Sequence, residues 1–316
     1  MAATVKIALV SRTVFYAPVW VAEQNGYFRD EGLEPRFEIF DNAEKINQVM
    51  HSGEAQIAIA SVEALVADAF EGGRFRIVAS VAQKPPHFII ARPHIKAVTD
   101  LHGARFGVLS LHEGTTYFVQ DIEKALGWTR GDIVIDAVGG APTRWKLLRE
   151  GKIDAGLQPF PLSYESEAAG FSNLGPIAKY VPDYEFTAVF LDPAWGEAHR
   201  PTVTSVLRAL RRGQAAMAAE PDVAANVLVK ELGTTEAYAR RAIGDALNFK
   251  LMPEGLSASS IRKPVTKGSK PTGLPSSTFC HSPAAVGSAV CADAGVTAAS
   301  AISTGARNGS SRKLEN

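Results

Sequence analysis

Two stretches of the chain read alike, and the likeness limits the folds available to it. One is Val49-Met50-His51-Ser52-Gly53-Glu54-Ala55-Gln56-Ile57-Ala58-Ile59; the other is Leu147-Leu148-Arg149-Glu150-Gly151-Lys152-Ile153-Asp154-Ala155-Gly156-Leu157. Each ends a helix with glycine, adds a few mostly polar residues and enters a short apolar strand. Glycine at that place fits a left-handed helix cap, where a side chain would be strained. One helix–Gly–strand phrase is common in α/β proteins. Two copies in matching context predict that one unit has been used twice, giving two similar α/β lobes. Facing lobes make a cleft, and clefts are where small molecules bind.

The rest of the chain agrees with an α/β class. Strands and helices alternate from the start, the pattern of mostly parallel sheets flanked by helices. Val5–Val10 reads as a first buried strand. A helix follows over residues 17–25, with Pro18 in its first turn and Gly26 at its end. Asp41-Asn42-Ala43-Glu44 resembles a capping box opening a helix over 43–52. Residues 57–60 form a strand, and Ser61 is placed to cap a helix running to about Glu71. Further strands are expected at 76–81 and 88–91. A second lobe begins near Asp100, with strands at 105–109, 133–137 and 153–157 and helices at 114–125 and 143–150. The chain returns to the first lobe near Ala188 and ends in helices at 201–219, 221–232 and 235–247. Val203, Val206, Leu207 and Leu210 form an apolar stripe at helical spacing, and Arg208, Arg211 and Arg212 read as a solvated face. The expected division is therefore 1–92 plus 188–256 for lobe one and 94–187 for lobe two.

Composition narrows the function classes. The 316 residues carry 33 basic and 33 acidic side chains, with no basic stripe interleaved with aromatics, which argues against nucleic acid as a partner. No run of 18 apolar residues appears, so no membrane span is expected. Val5 follows the N-terminal methionine too closely for a leader, so the chain as written is expected in the cytoplasm, and in the periplasm if an upstream signal is missing. The two cysteines, Cys280 and Cys291, lie in a C-terminal tail; residues 1–279 hold none. The seven histidines show no metal-ligand spacing, so neither a metal nor a cofactor is expected. From Ser257 to Asn316 the chain is rich in Ala, Ser, Gly, Thr and Pro and loses all periodicity. Such a segment cannot offset chain entropy by burial, and it reads as disordered or as a non-native ending.

Five phrases in order carry a family resemblance. They are Trp20-Val21-Ala22-Glu23-Gln24-Asn25-Gly26-Tyr27-Phe28-Arg29-Asp30-Glu31-Gly32-Leu33-Glu34, Gly53-Glu54-Ala55-Gln56-Ile57-Ala58, Asp100-Leu101-His102-Gly103-Ala104-Arg105-Phe106-Gly107-Val108, Gly114-Thr115-Thr116-Tyr117-Phe118 and Gly151-Lys152-Ile153-Asp154-Ala155-Gly156. Over residues 4–256 the chain resembles the type II solute-binding proteins of nitrate, sulfonate, taurine and thiamine-precursor uptake, a superfamily that includes the pyrimidine synthase of thiamine biosynthesis. The resemblance implies a two-lobed periplasmic-binding-protein-like fold, a ligand cleft between lobes and an ABC transporter permease as partner. Tyr27, Phe28 and Gly32 have a structural reading of their own, plugging the first helix against the sheet and turning the chain into the next strand, so the signature reports fold more than chemistry.

In open α/β sheets ligands bind beyond the carboxyl ends of strands. That rule selects Arg12, Phe15 and Tyr16 after the first strand, Ser61 and Glu63 after the third, and Gln83 and His87 between lobes. In the second lobe it selects His112, Glu113, Thr115, Thr116, Tyr117 and Phe160. Ser61 and the Thr115–Thr116 pair each stand at a helix start, where free N–H groups favour an anion by about 0.3–2 kcal/mol per helix. Either can equally be a plain N-cap. Phe15, Tyr16, Tyr117 and Phe160 supply aromatic surface, for a pocket or for a core. Arg12 offers a counter-charge, or a solvated loop cation. The expectation is a small organic anion held without catalysis. The alternative is a cytoplasmic decarboxylase or lyase on the same fold, acting on an aromatic or heterocyclic acid with Glu63, His87, His112 and Glu113 as acid–base groups. A third reading is a ligand sensor. In the pyrimidine synthase a His occupies the place of Glu63 and a cysteine-rich segment accompanies it; this chain has neither, which argues against that activity.

Overall fold

The computed structural model describes residues 2–40, 43–70, 72–111, 114–181 and 184–253. The capping box at Asp41-Asn42, the loop residues His112 and Glu113, and the tail from Ser257 lie outside the described residues. Two five-stranded sheets carry the fold. The first holds β1 (Ala3–Leu9), β2 (Leu33–Ile39), β3 (Ile57–Ser61), β4 (Arg76–Ala82) and β10 (Thr187–Leu191) in the order β2-β1-β3-β10-β4. The second holds β5 (His87–Ala91), β6 (Arg105–Val108), β7 (Val134–Ala137), β8 (Ala155–Pro159) and β9 (Ser172–Pro176) in the order β7-β6-β8-β5-β9.

The two orders are the same pattern. In each sheet four strands run in one direction, and the fourth in order, β10 or β5, runs against its neighbours. The sheets are therefore mixed, and each takes its antiparallel strand from a chain crossing between lobes. β5 hydrogen-bonds to β8 and β9, so it belongs to the second sheet although the expected boundary at residue 92 put it in lobe one. The crossing falls instead at residues 83–86, where Pro85 and Pro86 have no N–H to give to either ladder. On the return, Thr187 opens β10 in the first sheet.

The duplicated phrase occupies equivalent places. α3 (Ala43–His51) ends before Gly53 at φ 76° and leads into β3; α6 (Ala141–Arg149) ends before Gly151 at φ 69° and leads into β8. Lys152 N–H closes the second cap on Leu147 O at 2.9 Å, a Schellman-type bond that satisfies a free helix carbonyl. α1 (Ala17–Gln24) ends at Gly26, also left-handed, and a one-turn α2 (Tyr27–Asp30) drops Phe28 into the core against Phe37, ring centroids 5.6 Å apart. Tyr27 stays partly exposed under the Arg212 guanidinium, 4.2 Å away, and Arg212 also pairs with Asp30, so that arginine pins a helix and is not merely solvated.

Around the first sheet lie α4 (Val62–Phe70), α8 (Pro193–Ala198), α9 (Arg200–Ala219), α10 (Pro221–Leu232) and α11 (Glu236–Asn248); α5 (Gly114–Ala125), α6 and α7 (Leu162–Ala168) flank the second. The stripe Val203, Val206, Leu207 and Leu210 is fully buried, and each such side chain contributes roughly 1.5–3 kcal/mol. α9 packs directly on α1, the helix that follows the Phe15–Tyr16 turn. α11 reaches the other lobe: Tyr164 of α7 donates to Asp245 at 2.6 Å, and Arg241 pairs with Glu167 at 3.2 Å.

Candidate functional site

The carboxyl ends of β1, β3, β6 and β8 and the two crossings meet along one seam between the lobes. After β1 a 3₁₀ turn, Val14–Tyr16, buries Phe15 and Tyr16. Phe15 stands edge-on to Phe186, which precedes β10, at 4.9 Å, and 6.5 Å from the ring of His87, which opens β5. His87 in turn meets Phe186 at 5.4 Å. The turn of the first lobe and both crossings thus share one aromatic cluster. Phe160, at the end of β8, is buried, stacks parallel to Tyr164 at 6.0 Å, and borders with His87 a small cavity of about 80 Å3.

Glu63 is the polar centre of the seam. It sits in the first turn of α4, and its carboxyl accepts the hydroxyl proton of Tyr184 on the returning chain, with the Ser61 hydroxyl and its own backbone N–H adding support. Burial dominates and holds its pKa above the usual carboxylate value, against the lowering effect of those donors. The second oxygen, Oε2, is buried without a partner. Tyr184 packs edge-on against Phe118 of α5 at 4.8 Å. A Cβ at Gly114 would overlap Glu63 Oε1 and lie 3.1 Å from the Tyr184 hydroxyl, so only glycine lets the α5 N-terminus approach this pair. The partial positive charge of that helix end therefore already faces a carboxyl group of the protein itself. Tyr16 completes the surroundings: burial, and then the Glu63 charge, drive its phenol pKa up, against a backbone hydrogen bond with Val10.

Other groups on the seam are buried and polar. His87 is 6% exposed, its Nδ1 has no partner, and burial together with the Arg144 charge pushes its pKa down to about 3, so the ring is neutral. Thr187, in register opposite Ser61, has a buried hydroxyl without a partner. Arg144, in α6, is 3% exposed and donates from Nε and Nη2 to Leu157 O at 3.1 and 2.9 Å and from Nη1 to Gly139 O at 2.8 Å. It ties the carboxyl end of β8 to the loop after β7.

Several expected site residues have other work. Arg12 is ion-paired with Glu231 of α10 and lies 4.8 Å over the Trp20 ring. Thr115 and Thr116 lie inside the first turn of α5 and not at its cap. The Thr115 hydroxyl accepts from Leu109 N–H at 2.9 Å, and the Thr116 hydroxyl donates to Ser110 O at 2.7 Å, so both fasten the loop after β6. Thr116 and the exposed Tyr117 line an open groove of about 540 Å3 between α5 and the edge strand β7, with Leu111, Gln120 and Val134. Gln83 N–H donates to Leu251 O at 2.8 Å, tying the first crossing to the end of the last helix. Glu113 is outside the described residues. Sequence reasoning missed Tyr184, Phe186, Thr187 and Arg144. An arginine on a helix reads as a solvated charge, and the aromatics before β10 carry no local signal; only the return of the chain brings them here. Among the described residues no three His, Cys, Asp or Glu side chains group as a metal site, and no helix is long and apolar enough to cross a membrane.

Comparison with known proteins follows the same lines. The profile of the NMT1/THI5-like family matches residues 14–224. A stretch of 94 residues is 29% identical to YtlA of Bacillus subtilis, spanning 29% of this chain and 28% of that protein's length. Among solved structures, the periplasmic aliphatic sulphonate binding protein SsuA of Escherichia coli superposes with a TM-score of 0.67 at 14% identity, over 83% of this chain and 84% of that one. The ligand-binding component of an ABC-type import system from Staphylococcus aureus, with zinc bound, gives 0.67 at 12% identity over 77% and 84%. The periplasmic nitrate-binding protein NrtA of Synechocystis PCC 6803 gives 0.64 at 11% identity over 76% and 70%. At these identities the superpositions establish the fold.

Proposed function

Because the chain belongs to the NMT1/THI5-like family, we propose that it is a solute-binding protein whose two lobes close on a small organic anion, a carboxylate, sulfonate or similar group. The observation that carries this reading is the seam itself. Strand ends of two like-ordered sheets converge on it, and it is crossed by Glu63 with Tyr184 and Gly114 and by Phe15 with His87 and Phe186, while α7 and α11 join the lobes beside it. That is the geometry of two lobes that rotate about their crossings and enclose a ligand. The wall consists of Phe15, Tyr16 and Phe160 with Ser61, Glu63 and His87 as polar points. Arg12, held by Glu231, is not among them. Fold neighbours named as periplasmic sulphonate- and nitrate-binding proteins support an acidic solute and a periplasmic site of action, and one named as the ligand-binding component of an ABC-type import system supports an ABC-type permease as the partner.

A second reading, turnover of the bound acid, draws on one observation: Glu63 and His87 share the seam with pKa values displaced in opposite directions by burial, the way acid–base pairs are set apart. Native mass spectrometry of freshly purified protein tests both. An intact acid retained in stoichiometric amount supports binding alone. An acid together with its product supports turnover. Protein that retains nothing and gains mass with no organic acid offered removes the first reading.

A further inference from the structure

We propose that the solute carries a hydrogen-bond-donating nitrogen beside its acidic group, and that Glu63 is the residue that selects for that nitrogen. This rests on the binding function proposed above and narrows its ligand class. Buried polar atoms in folded proteins are almost always paired, and each one left over calls for an explanation. Glu63 Oε2 is buried and unpaired although Tyr184 and Ser61 both donate to the same carboxyl. Two further unpaired buried atoms belong to the same seam, His87 Nδ1 and Thr187 Oγ1. Thr187 stands in register opposite Ser61, and His87 shares the Phe15–Phe186 cluster.

The charge pattern says what Oε2 is for. The N-terminus of α5 is the place where a bare anion is expected to settle, and the Glu63 carboxyl already lies against Gly114 there. A second anion with no donor of its own meets the lone pairs of those carboxyl oxygens in a poorly solvated site. A ligand whose N–H or ammonium group lies against Oε2 removes that repulsion, satisfies the orphan acceptor and leaves its acidic group to the remaining donors. Nitrate or a plain alkanesulfonate offers Glu63 nothing.

The test is calorimetric titration of the full chain, freed of retained ligand, with matched probes. 4-Aminobenzenesulfonate is compared with benzenesulfonate, taurine with ethanesulfonate, and benzylamine serves as a donor with no acid. In at least one pair the amino member binds about tenfold tighter or better, as a hydrogen bond to a charged group implies, and Glu63→Gln reduces that preference to about threefold or less. Tyr184→Phe, which removes a partner of Oε1 only, keeps the preference. If Glu63→Gln does not fold, Glu63→Asp, which withdraws the carboxyl by one methylene, must lower the preference instead. Equal affinity within both pairs, or a preference that survives Glu63→Gln, overturns the inference and leaves the acid-binding function standing. Glu63-dependent binding of benzylamine with no binding of either sulfonate pair overturns the acid-binding function and leaves the role of Glu63 standing. Binding of no probe overturns both.

Discussion

Gly213 is a position at which one added methyl group would run into the backbone of a neighbouring helix. It lies inside α9, where helix propensity alone predicts that alanine is better than glycine by about 1 kcal/mol. The packing predicts the reverse. A Cβ there would overlap the Pro18 carbonyl oxygen and lie 2.9 Å from Ala22 Cβ and 3.0 Å from Ala22 N. Carbon pairs rest at about 3.5–4.0 Å, so α1 and α9 must part by roughly an ångström. The obstacles are backbone and a methyl group, which have no rotamer to retreat into. Over-packing of this kind costs about 1–3 kcal/mol, and more when backbone must move, so Gly213→Ala loses about 1–2 kcal/mol net. Gly244 in α11 is the control, because nothing lies within 4 Å of the place an added methyl would take, and Gly244→Ala gains up to about 1 kcal/mol. Denaturant unfolding at constant slope reads both as shifts in midpoint. Because α1 follows Phe15 and Tyr16 directly, the same displacement moves the aromatic wall, and ligand affinity falls with stability in Gly213→Ala. A Gly213→Ala protein as stable as Gly244→Ala refutes the close-packing account.

Three further outcomes follow from the charges and the interlobe contacts. Glu63 has a raised pKa in the folded state, so the stability that its neutral form contributes is present below pH 4.5 and is lost as pH rises through the raised value. Glu63→Gln therefore gains stability over wild type from pH 4 to pH 8 in melting curves, and a constant difference across that range counts against the buried carboxyl. His87 is depressed to about 3 from 6.5, so its contribution is complete above pH 6.5 and lost as pH falls toward 3. His87→Gln gives a shallower acid limb over that window, by an amount on the order of a few kcal/mol at its foot; parallel limbs in the two proteins contradict it. Tyr164→Phe deletes the bond from α7 to Asp245 of α11 and lowers unfolding free energy by about 1–2 kcal/mol in denaturant titration, and an unchanged midpoint shows that the contact does not hold the lobes.

Much of the architecture was legible because it is written locally. Gly53 and Gly151 announce their caps through a backbone need that no other residue meets cheaply, and α5, α9 and α10 declare themselves by apolar spacing. What stayed hidden has a physical reason in each case. α2 is a single turn, too short for periodicity. β9, Ser172-Asn173-Leu174-Gly175-Pro176, holds residues that argue against a strand and is tolerated only at a sheet edge. α7 and α8 are seven and six residues long. The return of β10 to the first sheet was legible, but the apolar run of β5 carries no mark of the sheet that receives it, and neither run marks its direction. Within the site, Ser61 and Glu63 were visible from their place after a strand. Thr115 and Thr116 looked alike from sequence, and only the loop before them decides that one hydroxyl accepts from Leu109 N–H while the other donates to Ser110 O.

The exchanged strands explain why the remaining site residues could not be read. β5 and β10 each leave one lobe and complete the sheet of the other, so among the described residues the segments feeding them are the ones that pass between the lobes. His87 opens β5, and Tyr184 and Phe186 stand just before β10. Any rotation of one lobe against the other must be absorbed by turning those two segments, and the groups they carry turn with them. His87 and Phe186 form the aromatic face opposite Phe15, and Tyr184 holds Glu63. On the binding function proposed above, the residues that would meet the ligand are thus also the ones that turn as the cleft closes. On the proposed binding function, a ligand that satisfied Glu63 Oε2 and His87 Nδ1 would act on the crossings directly and stabilise the closed arrangement by its differential contacts, with no need for a signal to travel through either core.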